Sequence, residues 1–324
     1  MSDGTMTLSA FSGTRRALIC GSLAYDHIMI FQDRFKNHIL PEKIHVLNVA
    51  FLVPEMRREF GGCAGNIAYG LRLLGETPHV MATVGEDFAP YRERLTRLGL
   101  PLARIRQIPG TFTAQAFITT DLDDNQITAF HPGAMSRSHE NRIAAGDAEL
   151  GIVAPDGRDG MLGHARDFSA AGIPFIFDPG QGLPMFSGEE LLEFLELAEY
   201  ACFNDYEINL ASERTGLSTE RLAERVAALI VTRGGEGSLI YAGGTRLEIP
   251  CAPARALVDP TGCGDAYRAG LLYGLLHEFD WRKAGQLASL MGALKIEHPG
   301  PQNYAPSREE IAARYAEAFG DRLF

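Results

Sequence analysis

The sequence lacks any run of 18 consecutive apolar residues, so nothing in it reads as a membrane span. It has no Cys-x-x-Cys pair. Its five cysteines, at 20, 63, 202, 251 and 263, are scattered with no histidine cluster beside them. That excludes a disulfide frame or a zinc site and reads as reduced thiols in a cytoplasmic protein. Positive charge is scarce: 30 Lys and Arg against 41 Asp and Glu leave a formal charge of −11. Such a balance argues against a nucleic-acid or anionic-membrane partner, since both need a basic surface. The P-loop pattern G-x-x-x-x-G-K-[ST], the dinucleotide fingerprint G-x-G-x-x-G and the zinc pattern H-E-x-x-H are all missing, as are repeats and low-complexity tracts. Thr14-Arg15-Arg16 before Ala17-Leu18-Ile19-Cys20 has the outline of a twin-arginine leader ahead of a lipidated cysteine. The apolar run ends by Asp26, however, and Ile19 is too large to precede a processed cysteine. Residues 1–16 therefore read as a polar, flexible tail.

What is present is an ordinary globular composition over 324 residues, 46% hydrophobic and 22% charged. That is long enough for roughly two folding units, or one large α/β unit with an appendage, with a core that needs no covalent staples. Apolar runs at Ala17–Gly21, Val80–Val84, Pro174–Asp178 and Leu229–Thr232 read as buried strands. Phe88–Leu98, Leu191–Leu197 and Glu220–Ala228 read as helices. Strand and helix alternating at this spacing predict a parallel sheet with helices on both faces, and ligands beyond the carboxyl ends of its strands. Two segments break the rhythm. Residues 32–54 include the extended run His45–Phe51, and residues 111–130 alternate on either side of Asp123-Asp124-Asn125 as a β-hairpin would. They read either as a small antiparallel lid or as an edge extension of the main sheet.

Three glycine-rich turns carry the chemistry. In Asp259-Pro260-Thr261-Gly262-Cys263-Gly264-Asp265, two glycines open an amphipathic helix, where backbone N–H groups converge on an anion. Asp265 suits a general base beside a phosphoryl group held there; it suits a helix cap equally well. A carboxylate of ordinary pKa, about 3.9, would already be ionised at neutral pH. Gly61-Gly62-Cys63-Ala64-Gly65-Asn66 also runs into a helix, and lets backbone approach a small polar ligand or merely makes a capped turn. Thr232-Arg233-Gly234-Gly235-Glu236-Gly237-Ser238 follows a strand and by itself is best read as a hairpin turn. Asp26, after the first strand, has a carboxylate able to accept from two neighbouring hydroxyls, or is a turn-former.

In this order the three turns resemble the ribokinase-like (PfkB) carbohydrate and nucleoside kinases. Gly61–Asn66 looks like that family's first signature and Asp259–Asp265 like its second, with Pro260 and Cys263 as mild departures. Asn204-Asp205-Tyr206-Glu207 is similar to its N-x-x-E element. Gly21–Asp26, Phe51–Val53, Phe130–Met135, Phe203–Glu207 and Asp265–Gly270 resemble in particular the mycobacterial type of bacterial adenosine kinase. The resemblance implies a three-layer α/β/α fold with a mainly parallel central sheet and a small β lid. The large domain would be 17–31, 55–110 and 131–324; the lid would be 32–54 and 111–130.

The activity implied is transfer of phosphate from ATP to the 5′-hydroxyl of adenosine, giving AMP and ADP. Asp265 would be the base, and the Gly262, Cys263 and Gly264 N–H groups would stabilise the moving phosphoryl. Ser22, Asp26, Gly62 and Asn66 would hold the ribose, Gln181 and Asn204 would line the nucleoside site, and Phe130 would stack on the base. A second stacking ring is expected at 116, where the chain has Ala116 beside Phe117, and a second Gln at 182, where it has Gly182. Asn204, Thr232, Gly234 and Gly237 would hold the nucleotide. Glu207 would place Mg²⁺ through water, and a monovalent cation, K⁺, would sit at Asp259 and Thr261. The other readings are a kinase of ribose, fructose or a related sugar, and an idle nucleoside sensor. A lid with open strand edges also implies a homodimer.

Overall fold

The computed structural model describes residues 16–39, 49–123 and 125–324. A nine-stranded sheet forms its centre. In chain order its strands are β1 (Ala17–Cys20), β4 (His79–Val84), β5 (Ile105–Gln107), β8 (Leu150–Val153), β9 (Phe175–Phe177), β10 (Tyr200–Asn204), β11 (Ala228–Thr232), β12 (Ser238–Ala242) and β13 (Thr245–Ile249). In space they run β13-β12-β11-β10-β9-β8-β1-β4-β5. The seven strands from β11 to β5 are parallel, and β12 and β13 return antiparallel at one edge.

Alternation along each buried strand divides the core in two. Ala17 and Ile19 join one apolar cluster and Leu18 and Cys20 the other; at β9, Ile176 faces one way and Phe175 and Phe177 the other. The first face is covered by α1 (Cys63–Leu73), α2 (Ala89–Arg97), α7 (Cys263–Leu276), α8 (Trp281–Ile296) and α9 (Arg308–Phe319). The second is covered by α3 (Arg158–Ala170), α4 (Gly188–Leu197), α5 (Asp205–Thr215) and α6 (Thr219–Ala223). This is the three-layer arrangement expected of strands buried on both sides. All five cysteines are free. Among the described residues, no helix is long and apolar enough to cross a membrane.

A second, four-stranded sheet has the order β3-β2-β6-β7, from β2 (Ala24–Ile30), β3 (Glu55–Gly61), β6 (Ala114–Thr120) and β7 (Gln126–His131). The 111–130 hairpin is there as anticipated, β6 pairing antiparallel with β7. The other half of this sheet differs from expectation. It uses 24–30 and 55–61, which the sequence reading gave to the large domain. The described part of 32–54 forms no strand, and His45–Asn48 lie outside the described residues. The reason is composition: Asp26, Arg57, Arg58 and Glu59 break the apolar alternation that flags a strand, and the β2–β6 pairing that organises them is parallel and long-range. The helix expected over 220–228 also ends early, at Ala223, because Ala228 already belongs to buried strand β11.

Candidate active site

Two glycines set the mouths of two helices. Gly62, with φ +84°, precedes α1, and Gly262, with φ +81°, precedes α7. Neither helix start has a side-chain cap, and both glycines occupy a backbone region that other residues rarely adopt. A Cβ on Gly62 would lie 2.5 Å from the Ser22 carbonyl, and one on Gly262 2.7 Å from Pro301 Cβ. Both turns border one cavity of about 650 Å³ between the small sheet and the carboxyl ends of β1, β8 and β9.

The small sheet presents one face to this cavity. Its registers pair Glu59 with Asp26, Asp26 with Ala116, and Ala116 with Phe130, so these four make a row across the strands. Pleating puts Ala116, Ile118, Gln126, Thr128 and Phe130 on the cavity wall. Phe117 goes to the opposite face, where it stacks on His27 at 4.8 Å and 9°. The cavity therefore has one aromatic ring from the small sheet, with Ala116 opposite in register. Asp26 lines the wall, and its pKa is pushed up to about 6, chiefly by burial and then by the nearby charges of Glu59 and Asp259.

At the other end stands Asp265, on the first turn of α7. It is not an ordinary carboxylate: burial raises its pKa to about 6, with Asp178 adding to the rise, against the opposing hydrogen bond from Asn66 and the charge of Arg268. Asn66 Nδ2 donates to Asp265 Oδ2 at 2.8 Å. The Asn66 amide is oriented in turn by Gln302, whose Nε2 donates to Asn66 Oδ1 at 3.0 Å and to Tyr91 Oη at 2.9 Å. Arg94 Nε donates to Gln302 Oε1 at 3.0 Å, completing the chain. One turn further along α7, Arg268 forms a buried bidentate pair with Asp178 at 2.9 and 3.0 Å, tying the helix to the end of β9. Cys63 lies beside Asp265, its thiol kept neutral by burial and by that carboxylate.

Ser22, Asp26, Gly62, Asn66, Phe130, Gln181, Thr261, Gly262 and Asp265, all expected from the sequence, come together on this cavity, with Gly182 among its lining. Two details differ from expectation. Asn66, expected on the ribose, donates instead to Asp265, the carboxylate expected to act as base. Of the three N–H groups expected to converge on the phosphoryl, that of Cys263 donates to Pro260 O at 3.1 Å, while those of Gly262 and Gly264 make no backbone bond among the described residues.

Asn204, Glu207, Thr232, Gly234 and Gly237 lie outside the cavity lining, at the ends of the adjacent strands β10 and β11, where Asn204 and Thr232 are in register. The turn from 233 to 237 does join antiparallel β11 and β12 as a hairpin connection, with Gly234 and Gly237 at φ +53° and +83°. Asn204 and Glu207 cap α5 reciprocally: both Glu207 carboxylate oxygens accept from Asn204, at 2.8 Å each.

Asp156, Gln302, Arg94 and Arg268 escaped the sequence reading. Asp156 follows β8 on the cavity wall; its Oδ2 is buried without a hydrogen-bond partner among the described residues, and burial pushes its pKa up to about 8. Its position beyond a strand's carboxyl end was the available signal.

A family model for the pfkB carbohydrate kinases matches residues 22–308. The chain belongs to that family. It is a kinase of the ribokinase-like fold, a phosphotransferase with an alcohol acceptor. A nucleoside kinase of Methanocaldococcus jannaschii is 34% identical over 276 residues, 84% of this chain and 91% of that protein. The structure of Burkholderia thailandensis nucleoside kinase in complex with inosine superposes with a TM-score of 0.86 at 56% identity, covering 94% of this chain and 99% of that one. An Escherichia coli fructokinase is 27% identical over 284 residues, 78% of this chain and 90% of that protein.

Proposed function

We propose that this kinase transfers the γ-phosphoryl group of ATP to the 5′-hydroxyl of a purine nucleoside. Adenosine, giving AMP and ADP, is the acceptor the sequence resemblance favours. Inosine is added by the Burkholderia relative, which has been solved with inosine and with ADP and inosine together. The observation that carries the reading is Asp265. It is a part-buried carboxylate at a glycine-opened helix mouth, hydrogen-bonded by Asn66, in a cavity whose opposite wall bears Asp26 and Phe130.

Asp265 takes the proton of the 5′-hydroxyl as its oxygen attacks the γ-phosphorus and the bond to the ADP oxygen breaks. The N–H groups of Gly262 and Gly264 oppose the charge on the phosphoryl oxygens, aided by the dipole of α7. Asp26 and the Ser22 hydroxyl hold the ribose, Phe130 stacks on the base, and Asp156 with Gln181 reads its polar edge. Asp156, held neutral by its pKa of about 8, can donate as well as accept, which suits hypoxanthine and adenine alike.

The nucleotide lies along the ends of β10 and β11, at Asn204, Thr232, Gly234 and Gly237. Mg²⁺ supplies charge neutralisation at the phosphates. Glu207, with both oxygens held by Asn204, suits a role through water better than direct coordination. The four-stranded sheet acts as the lid that excludes water. Its outer face, with Met56, Phe117 and Ile127 exposed, is where a second copy would pair.

The fructokinase relative favours a second reading, a free-sugar kinase using the same Asp265. ADP release from ATP and Mg²⁺, measured with adenosine, inosine, guanosine, ribose and fructose at matched concentrations, separates them. Preference for a purine nucleoside is expected. Preference for ribose or fructose overturns the base pocket, and tight nucleoside binding without turnover selects the sensor.

A further inference from the structure

The C-terminal end of α8 meets the 258–262 loop from which α7 starts. Ile296 O accepts from Val258 N and Asp259 N, at 2.9 and 3.2 Å. Gly300 N and Thr261 N both donate to the Asp259 carboxylate, at 2.8 Å each. Into this junction reaches Lys295, on the last turn of α8, with no exposed surface. Its ammonium donates to the Asp259 carbonyl at 2.6 Å and to the His298 carbonyl at 3.2 Å. Burying a lysine is costly, and an ammonium satisfied by two backbone carbonyls rather than by a carboxylate is unusual. Burial lowers its pKa, while the nearby Asp259 and Cys263 oppose that.

Converging carbonyl oxygens beside a carboxylate are the ligands a monovalent cation such as K⁺ takes in place of water. The resemblance puts such a cation at Asp259 and Thr261, and the residues present do not fit one. The Asp259 carboxylate oxygens are occupied by two N–H groups and its carbonyl by an ammonium, and a second positive charge would face the first.

We propose that Lys295 serves as a built-in monovalent cation: its ammonium holds the Asp259 and His298 carbonyls together, and so fixes the Gly262 turn that presents Asp265, without any dissolved ion. Lys295 is a positioning residue: it does not line the cavity, and it acts through the Asp259 and His298 carbonyls. An ammonium has three donors and no acceptor, and a helix C-terminus favours a cation, so both chemistry and position agree.

The inference rests on the kinase reading only where activity is measured. The full-length enzyme is compared in KCl and choline chloride at equal ionic strength, by kcat and by melting temperature. The wild type should give the same kcat and the same melting temperature in both salts. Lys295→Met, which keeps the stem and removes the charge, should lose kcat in choline by roughly tenfold to a hundredfold through a misplaced turn. It should recover part of that loss in KCl, with a melting temperature that rises in KCl. A wild type stimulated several-fold by K⁺ overturns the inference, as does a folded Lys295→Met with parental kcat in choline. If Lys295→Met folds in neither salt, the wild-type comparison decides alone. The melting arm needs no substrate, so an enzyme inert toward every acceptor would sink the proposed activity and leave this inference standing on its thermal result.

Discussion

The two ends of the cavity each present an aspartate whose pKa is pushed to about 6, but they are built differently. Asp265 belongs to the large body. Its rise comes from burial and Asp178 and is checked by Asn66 and Arg268, so an ordered chain of donors surrounds it. Asp26 belongs to the small sheet, and the charges acting on it, Glu59 and Asp259, only add to the effect of burial. The difference teaches where the enzyme is preorganised. The Asp265 end, the reacting end on the proposed reading, is already held by an ordered chain of donors. The Asp26 end, proposed to hold the sugar, carries an unbalanced carboxylate, which hydroxyl donors from a ligand would stabilise.

That contrast can be broken by mutation. Asp265→Asn keeps shape and hydrogen bonding, and should cost about 10² to 10⁴ in kcat with nucleoside affinity nearly unchanged. Near-parental turnover with lowered stability would make Asp265 a cap. Asp26→Ala should instead weaken nucleoside binding by about a hundredfold while ATP binding holds, because two charge-assisted hydrogen bonds go; titration calorimetry with each ligand separately checks this. Asn66→Ala should lower kcat near neutral pH about tenfold, the worth of one hydrogen bond to a charged group.

The same substitution has a pH signature. That bond favours the ionised form, so its loss raises the Asp265 pKa. The acid limb of kcat, falling below about pH 6 in the parent, should move upward. An unmoved limb would detach Asn66 from the base. Phe130→Ala should raise the nucleoside KM about fivefold, the size of one stacking contact. A free-sugar kinase would not register that change.

The smallest effect is on stability. Asp265 has a folded pKa above its unfolded value, so its charge costs stability fully above about pH 6, and the cost fades as pH falls toward the unfolded value. Asp265→Asn should therefore raise the melting temperature by about a few degrees at pH 7, and not at all near pH 4.

Much of this was legible in the sequence because the two glycine turns are local. Gly62 and Gly262 each need a positive φ at a helix mouth, and each sits beside the polar residue it presents. The buried strands were legible because parallel strands covered on both faces are continuous apolar runs. Tertiary registers were not. Phe117 sits one residue from the cavity face, and only the pairing of Ala116 with Phe130 shows which of them points inward. Gln302 supports Asn66 across 236 residues of chain, and Arg94 supports Gln302 across 208, relations no local pattern encodes. Lys295 reads as an unremarkable last-turn lysine until its ammonium is found on the Asp259 carbonyl.

The central claim is that a nucleoside 5′-hydroxyl is the acceptor and that Asp265 faces it. The most direct test incubates the enzyme with ATP, Mg²⁺ and either inosine or adenosine, identifies the phosphorylated position by ³¹P NMR, and repeats the reaction with the matching 5′-deoxynucleoside. The account predicts the 5′-monophosphate as the product, and a 5′-deoxynucleoside that competes for the site without releasing ADP. Phosphate on another position, or turnover of the 5′-deoxy compound, would contradict it.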